Sequence, residues 1–346
     1  PIIEYEEFVK KDNPDDEAVS DTFKLTDKGK RKLALRYEFT FQLKRMSKNK
    51  KLPLRIYNIG PVFRDEPVTG NRWRQFTQCD ADIIGADLKD VAEILKITSE
   101  ILTKLKIKNF TININNKKLL DEILDEQKIS NKKQIVREID KLDKQPESEV
   151  KKNLKKYNAE KILEIFKKPE KYFERYENYK DIKEIREICR FLNIKTKFTP
   201  FLARGLSYYN WIVFEIKSDI KETITAGGSY PINGIQSTGI SFGLDRLELL
   251  SKLTPSYKKI LIISLDQDKK AVELAGKIRK IETPCQIFYN KPGKALDYAN
   301  SCNIPLVIFI GDEEAKKKKY KLKNMNTGKE KLLSENSLLK EIKKLN

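Results

Sequence analysis

The alternation of apolar and polar positions predicts two strands joined by a polar loop across residues 55–85. β-Branched residues fill the first strand, and Gly60-Pro61 predicts a bend or bulge inside it. The loop contains Gly70-Asn71, a pair typical of turns. This hairpin is the most informative part of the chain, because its second strand carries a row of functional side chains.

The second strand, residues 72–84, collects functional groups on one face, since successive residues of a strand point to opposite sides. That face consists of Arg72, Arg74, Phe76, Gln78, Asp80 and Asp82. Guanidinium groups suit phosphate oxygens, an aromatic ring suits a nucleobase, and carboxylates suit a cationic group. The strand ends in Ile83-Ile84 and so enters a core. A solvated sheet face is the alternative, but the combination favours a site for a nucleotide together with an amino acid.

Periodicity predicts further elements on both sides of this hairpin. A strand over 33–40 leads into a helix that ends near Met46, and residues 88–105 form a helix with one apolar face. Residues 108–115 alternate as a strand, and residues 199–250 return to sheet character. These elements indicate one domain built on a sheet.

Beyond Pro255-Ser256, which marks a domain boundary, strands and helices alternate. The predicted strands are 260–263, 285–289 and 305–310, and the predicted helices are 269–281 and 294–302. A β-α-β-α-β order implies a parallel sheet with helices on its faces. A basic hairpin around 321–331 and a last helix over 338–345 follow. A small nucleotide-binding domain is the alternative, although no glycine-rich phosphate loop follows the first strand.

Composition narrows the classes of function. The chain has 346 residues, which predicts two or three domains. Its net charge of +19 favours a polyanionic partner, nucleic acid first, with a generic lysine-rich composition as the alternative. The chain contains no histidine, so Ser-His-Asp triads and histidine-ligated metals are excluded.

The four cysteines are scattered without a CxxC pair, which argues against structural zinc and disulfides and fits a reducing cytoplasm. No apolar run approaches the ~20 residues of a membrane span. Because the sequence starts at Pro1 without a methionine, we expect that an upstream segment is missing.

Several motifs resemble those of one family. GPVFRDE at 60–66 and RWRQFTQ at 72–78 resemble motif 2 of the class II aminoacyl-tRNA synthetases, and most closely that of the histidyl-tRNA synthetases. The opening PIIE at 1–4 resembles the end of motif 1, the dimer-forming element. LRYEFT at 35–40 resembles the strand that holds the amino group of the amino acid. RGLSYYNWIVFE at 204–215 resembles a signature peculiar to the histidyl enzymes.

Two later segments extend the resemblance over nearly the whole chain, in the order of the family. AGGSY at 226–230 resembles a strand turn, and GISFGLDRL at 239–247 resembles motif 3, in which a helix carries an arginine near its start. The departures are Asp82, one methylene shorter than the glutamate of bacterial members, and Ser207, Ser229 and Pro231.

The resemblance implies an α+β fold. A class II catalytic domain with an antiparallel sheet would comprise residues 1–116 and 198–254, interrupted by a helical insertion domain at 117–197. An α/β anticodon-binding domain would occupy 257–346. The insertion is Lys- and Glu-rich with helical spacing. Two interpretations of the insertion are possible. It is either a tRNA-contacting module or a solvated helical lid held by ion pairs between residues four apart.

The resemblance also implies two substrate sites. The residues expected to bind ATP are Arg64, Glu66, Arg72, Phe76, Gly243 and Arg246. The residues expected to bind histidine are Glu38, Thr40, Gln78, Asp82, Arg204, Tyr208 and Tyr209. Arg64 and Arg204 are the expected catalytic residues, because they would grip the α-phosphate from opposite sides. Mg²⁺ would lie on the β- and γ-phosphates of ATP, and no protein ligand is assigned to it.

The implied activity is a histidine–tRNA ligase, a cytoplasmic homodimer that activates histidine with ATP and transfers it to tRNA(His). A synthetase-like regulatory protein that binds histidine without charging tRNA is the strongest alternative. A different class II synthetase and a tRNA-binding module without catalysis are further alternatives. Amino-acid activation requires positioning and positive charge rather than proton transfer, so the absence of histidine is compatible with it.

Overall fold

The computed structural model describes residues 1–10, 20–69, 72–143, 145–204, 208–218, 223–253, 259–289 and 291–344. The chain divides into two compact units, Pro1–Leu253 and Thr254–Asn346. The first unit is built on a seven-stranded sheet and a small three-stranded sheet, and the second on a five-stranded sheet. This mixture of helices and sheets confirms the predicted α+β class.

The large sheet of the first unit has the order β4-β5-β10-β9-β8-β6-β7. Its strands are β4 Leu54–Phe63, β5 Gln75–Ile84, β6 Thr111–Asn116, β7 Thr196–Phe198, β8 Ile212–Lys217, β9 Thr225–Ile232 and β10 Ile235–Gly243. Neighbouring strands are antiparallel, except that β6 and β7 are parallel. The order brings β5 beside β10, which is distant in sequence, and so joins the two halves of the first unit.

The small sheet consists of β1 (Ile3–Tyr5), β2 (Lys24–Thr26) and β3 (Lys32–Leu35), with α1 (Glu7–Lys10) after β1. The strand expected over 33–40 is shorter than predicted. It ends at Leu35, because Phe39 already has a helical backbone and helix α2 (Thr40–Met46) starts one residue later.

Strands β4 and β5 form the predicted hairpin, with two differences. The bulge expected at Gly60-Pro61 is absent, since the pairing runs without interruption from Leu54↔Ile84 to Phe63↔Gln75 across these described residues. Strand β4 lies at the edge of the sheet, where a proline is tolerated because one side of the strand has no partner. Strand β5 begins at Gln75, so Arg72 and Arg74 lie in the loop before it.

Helix α3 (Leu88–Lys104) confirms the helix predicted over 88–105. It starts at Asp87, whose side chain accepts hydrogen bonds from the N–H groups of the first turn, a stabilising N-cap. The Lys- and Glu-rich stretch then forms α4 Lys117–Glu126, α5 Lys132–Ile139, a 3-10 turn Asp140–Asp143, α6 Glu147–Lys155, α7 Ile162–Phe166, a 3-10 turn Glu170–Arg175 and α8 Tyr179–Phe191.

The helical stretch and the large sheet share one core. Buried Leu119, Leu154 and Phe173 of the helices belong to the same apolar cluster as Ile112 and Phe214 of the sheet. These helices therefore lie within the first compact unit, and their separation as an insertion domain stays a prediction. Helix α9 (Leu244–Leu250), which follows β10 directly, completes this unit.

The second unit contains the predicted alternation of strands and helices. Its elements are β11 Ile260–Ser264, α10 Asp268–Lys280, β12 Cys285–Phe288, α11 Pro292–Ser301, β13 Leu306–Ile310, α12 Asp312–Lys317, β14 Lys319–Asn324, β15 Glu330–Ser334 and α13 Glu335–Lys343. The strand order is β12-β11-β13-β14-β15, with β12, β11 and β13 parallel and the basic hairpin β14–β15 antiparallel.

Among the described residues, the helices are too short or too polar to cross a membrane. Three parts of the sequence interpretation lie outside the described residues. They are the turn at Gly70-Asn71, residues 205–207 of the RGLSYY segment and the boundary at Pro255-Ser256.

Candidate active site

The centre of the candidate site is one face of β5. Gln78, Asp80 and Asp82 alternate along this strand, and all three are buried. The residues between them, Cys79 and Ala81, pack against the main apolar core on the opposite face. The period of the strand therefore places an amide and two carboxylates in one buried row, as the sequence predicts.

The amide of Gln78 is fixed by two neighbours. Its Nε2 donates to Asp80 Oδ2 at 3.1 Å and to Ser241 Oγ of β10 at 2.5 Å. Its Oε1 is buried and has no hydrogen-bond partner among the described residues. Buried polar atoms are nearly always paired, so such an oxygen points to a ligand or to water.

Asp82 lies at the C-terminal end of the row, opposite Gly239 of β10. The hydroxyl of Tyr230, on β9, donates to Asp82 Oδ1, and Asp82 Oδ2 has no partner among the described residues. Burial raises the pKa of Asp82 well above its usual range, and the nearby charges of Asp80 and Glu38 raise it further. Asp82 is thus an acceptor held in place by a tyrosine.

The pKa of Asp80 is also raised, and burial is the main cause. Hydrogen bonds from Ser241 and Gln78 and the charges of Arg64 and Arg36 act in the opposite direction. Two carboxyl groups that share a buried site resist ionising together, because each charge disfavours the other. A cationic ligand would relieve this cost by neutralising the pair.

Three tyrosines form a wall of the site. The ring centroid of Tyr208 lies 4.8 Å from that of Tyr209 and 5.4 Å from that of Tyr230. Burial raises the pKa of Tyr209 to about 12. The charges of Glu38 and Asp82 also raise this pKa, and the charge of Arg204 lowers it. These tyrosines therefore stay neutral and offer O–H groups for hydrogen bonding.

Glu38, in the segment that joins β3 to α2, and Thr40, the first residue of α2, reach the same wall. The Tyr208 hydroxyl is 3.5 Å from Glu38 Oε2, and a hydrogen bond with Thr40 acts on the same hydroxyl. Glu38 is buried although it lies in a loop and not on the predicted strand. The structure thus brings Glu38, Thr40 and Tyr208 together.

Arg64 lies at the end of β4, next to the start of the row on β5. Its guanidinium carbon lies 4.5 Å from the ring centroid of Tyr37 and 5.1 Å from that of Phe76. Its Nε is buried without a hydrogen-bond partner among the described residues. Aromatic rings hold the planar group while leaving N–H donors available for an anion.

Arg204 has an unusual backbone with φ 60°, a left-handed conformation that non-glycine residues rarely adopt. Its side chain is largely buried, with Nη1 at 3.8 Å from Glu215 Oε1 of β8. Its Nε, like that of Arg64, has no hydrogen-bond partner among the described residues. Strained backbone at a buried charged residue is typical of functional sites.

The remaining predicted ATP residues lie around this centre. Glu66 Oε2 and Arg72 Nη1 form an ion pair of 3.0 Å in the loop before β5. Gly243, the last residue of β10, pairs with Gln78, and helix α9 starts directly after it. Arg246 on this helix donates from Nη1 to the carbonyl oxygen of Thr223 at 2.6 Å.

Several residues of the site were not assigned from the sequence. Asp80 was visible in the alternating row, but its contact with Gln78 requires side-chain positions that alternation does not give. The contacts of Tyr230 and Ser241 with the row depend on the order of β5, β10 and β9 in the sheet. Tyr37, which supports Arg64, lies in a coil segment without periodicity.

Comparisons with known proteins show which family the chain is similar to. The family model described as histidyl-tRNA synthetase matches residues 1–247, and the model described as anticodon binding domain matches residues 259–345. Histidine–tRNA ligase 2 of Shouchella clausii is 34% identical, with 95% of this chain and 88% of that protein covered. Histidine–tRNA ligase 1 of a Bacillus cereus strain is 31% identical, covering 91% and 84%.

Solved structures show the same fold. Histidyl-tRNA synthetase from a Nostoc species has a TM-score of 0.82 at 23% identity, with 99% of this chain and 90% of that chain covered. A Bacillus halodurans protein described as an ATP phosphoribosyltransferase regulatory subunit/histidyl-tRNA synthetase has a TM-score of 0.72 at 20% identity, covering 89% and 87%. With the family model matching most of the first unit and curated relatives aligned over nearly the whole length, this chain belongs to the histidyl-tRNA synthetase family.

Proposed function

We propose that this chain is a histidine–tRNA ligase, which converts histidine and ATP to histidyl-adenylate and pyrophosphate and then transfers histidine to tRNA(His). Membership of the family implies the use of ATP. The observation that carries the proposal is the buried row Gln78, Asp80 and Asp82, which offers acceptor oxygens without described partners close to two half-buried arginines, Arg64 and Arg204. Such a site suits a zwitterionic amino acid beside a phosphate.

The first reaction requires an anion to approach an anion. The histidine carboxylate attacks the α-phosphorus of ATP, and pyrophosphate leaves with the electrons of the broken bond. Arg64 and Arg204, whose buried Nε groups have no other described partner, would hold the α-phosphate and offset its charge in the transition state. Phe76 would stack on adenine, and Glu66, Arg72, Gly243 and Arg246 would hold the rest of the nucleotide.

Mg²⁺ would accompany ATP as a substrate-bound ion on the β- and γ-phosphates. This cation keeps several waters and commonly takes one or two carboxylates together with substrate phosphates.

Different residues on and around β5 would bind the imidazole ring and the α-ammonium group of histidine. Asp82 and the Tyr209 hydroxyl would face the two ring nitrogens of the imidazole, because one is an acceptor and the other a donor. Glu38, Thr40 and Gln78 would surround the α-ammonium group, and Tyr208 would orient Glu38 through its hydroxyl.

Transfer of histidine requires tRNA(His), for which the second unit is the proposed docking domain. Lysines recur along its hairpin, at Lys319, Lys321, Lys323, Lys329 and Lys331. Lysine contacts to phosphates release counterions and make binding sensitive to salt. The free cysteines throughout the chain support a reducing cytoplasm as its location.

A homodimer through the motif 1 region is supported by exposed apolar side chains. Tyr57 and Ile59 project from the edge strand β4 with 75% and 59% of their surfaces exposed, and Tyr5 of β1 is also exposed. Arg36 links the segment before β1 to β4 by donating to the carbonyl oxygens of Pro1 and Pro61. Sedimentation equilibrium of Tyr57→Glu against the unaltered protein tests this: we expect a monomer, and an unchanged mass would refute this interface.

The regulatory alternative is not favoured. The curated relatives at 31–34% identity are named histidine–tRNA ligases, and an anticodon-binding domain follows the catalytic part. Exchange of labelled pyrophosphate into ATP with each of the twenty amino acids is the decisive experiment. Exchange with histidine alone is expected, whereas histidine binding without exchange would support a regulatory protein and refute the ligase.

A further inference from the structure

Three side chains on β5 and β10 form a closed hydrogen-bonded group in the floor of the site. Asp80 and Ser241 face each other as partners in the antiparallel ladder, and both contact Gln78. The two N–H bonds of the Gln78 amide are taken up by Asp80 Oδ2 and Ser241 Oγ. The Ser241 hydroxyl, having accepted from Gln78, hydrogen-bonds to Asp80.

The arrangement fixes which end of the amide faces the ligand. A glutamine amide has a donor end and an acceptor end of similar shape, so a pocket must orient it by hydrogen bonds. With both N–H groups engaged, only Oε1 remains, and it is buried without a described partner. Oε1 of Gln78 can then accept a hydrogen bond from a cationic ligand, whereas its NH₂ group is already engaged and does not face the ligand.

We infer that Asp80 and Ser241 are positioning residues, which hold the Gln78 amide so that its carbonyl oxygen accepts a hydrogen bond from the α-ammonium group of histidine. The inference rests on the proposed function, since it takes histidine as the ligand. It assigns a role to a buried carboxylate, which would otherwise only cost stability, and to the half-buried hydroxyl beside it.

Substitution of Asp80 tests this positioning role. If Asp80 is removed, the amide is free to turn, and its NH₂ group competes for the position of its oxygen. The hydrogen bond between the charged α-ammonium group of histidine and the neutral carbonyl oxygen of Gln78 is then lost. This loss corresponds to about 10- to 100-fold weaker histidine binding. A ligand without the α-amino group never made that bond, so its affinity is expected to stay within about twofold.

The experiment compares histidine with imidazolepropionate, which is histidine without its α-amino group. Dissociation constants for both are measured by calorimetry on the unaltered protein and on Asp80→Ala, Asp80→Asn and Ser241→Ala. Asp80→Asn keeps a carbonyl oxygen that accepts from Gln78, so it should lose less histidine affinity than Asp80→Ala. Ser241→Ala removes the weaker, uncharged anchor, and a loss of about 2- to 10-fold is expected.

Asp125→Asn is the matched control, because Asp125 is an exposed carboxylate paired with Lys132 far along the chain from this row. It should leave both dissociation constants unchanged. Unfolding in urea shows whether Asp80→Ala is folded, and Ser241→Ala carries the test if it is not.

Each outcome has a distinct meaning. Selective loss of histidine affinity supports the inference. Equal loss of affinity for both ligands in Asp80→Ala and Ser241→Ala overturns it, and so does unchanged affinity for both ligands in the two variants. If the unaltered protein binds no histidine, the proposed function itself fails, and that result is separate from any difference among the variants.

Discussion

A methyl group at Gly239 has no room, and this makes Gly239→Ala a sharp test of the site. A Cβ atom built on Gly239 would lie 2.0 Å from Asp82 Oδ1 and 3.0 Å from the Tyr230 hydroxyl oxygen. Strand β10 cannot move aside easily, because it is paired on both sides, with Asp82 of β5 and Gly228 of β9 opposite Gly239. The Asp82 side chain must therefore leave its place.

The magnitude follows from these contacts. Overpacking a buried position costs about 1–3 kcal/mol, and loss of the hydrogen bond from Tyr230 to a carboxylate costs about 1.5–3 kcal/mol. We expect the first unit to lose about 2–5 kcal/mol of unfolding free energy, since the two costs partly overlap. Displacement of Asp82 from the imidazole should also raise the KM for histidine about 10- to 100-fold.

Tryptophan fluorescence during urea unfolding is the assay for stability. Both tryptophans, Trp73 and Trp211, lie in the first unit, so the signal reports this unit alone. Gly29→Ala is the control, because Gly29 lies in the same unit and a Cβ there comes no nearer than 3.4 Å to any residue other than its chain neighbours. A Gly239→Ala protein with unchanged stability and unchanged KM for histidine would refute this placement of Asp82.

Three further predictions follow from the site and the charges. Arg64→Ala should slow adenylate formation in single turnover about 10²- to 10³-fold. Arg64→Lys should recover only part of the lost rate, because an ammonium group lacks two parallel donors. Similar rates in the unaltered protein and both variants would contradict the role of Arg64. Burial raises the pKa of Asp80 to about 7, so between its usual value and this one the folded state holds a proton that the unfolded state has released, and the free energy of unfolding should fall from about pH 4 to about pH 7. Urea titrations should show a smaller fall in Asp80→Asn, and equal slopes would count against the raised pKa. Charging of tRNA should weaken steeply with salt while pyrophosphate exchange without tRNA changes little, and parallel salt dependence would argue against lysine–phosphate docking.

The sequence was sufficient for those parts of the site that one strand defines. Alternation placed Gln78 and Asp82 on one face of β5, and the structure buries both in the same row. The parallel sheet of the second unit was also predictable, because its strands and helices alternate along the chain.

Features that depend on neighbouring strands were not predictable from one sequence. The contacts of Tyr230 with Asp82 and of Ser241 with Gln78 need the register of β9 and β10 against β5. The end of β3 at Leu35 was missed because Glu38 and Thr40 fit a strand pattern locally, whereas the buried Phe39 between them has a helical backbone. Gly60-Pro61 was interpreted as a bend or bulge, but the edge strand accommodates both residues within a regular ladder without a bulge.

The order of strands in the large sheet also has a consequence during synthesis of the protein. Strand β5 pairs with β10, which begins about 150 residues later in the chain. At translation rates of about 5–20 residues per second, the β4–β5 hairpin waits roughly 8–30 s for that partner. The intervening helices have time to form from local contacts, while the open edge of β5 remains a place where a nascent chain can pair wrongly.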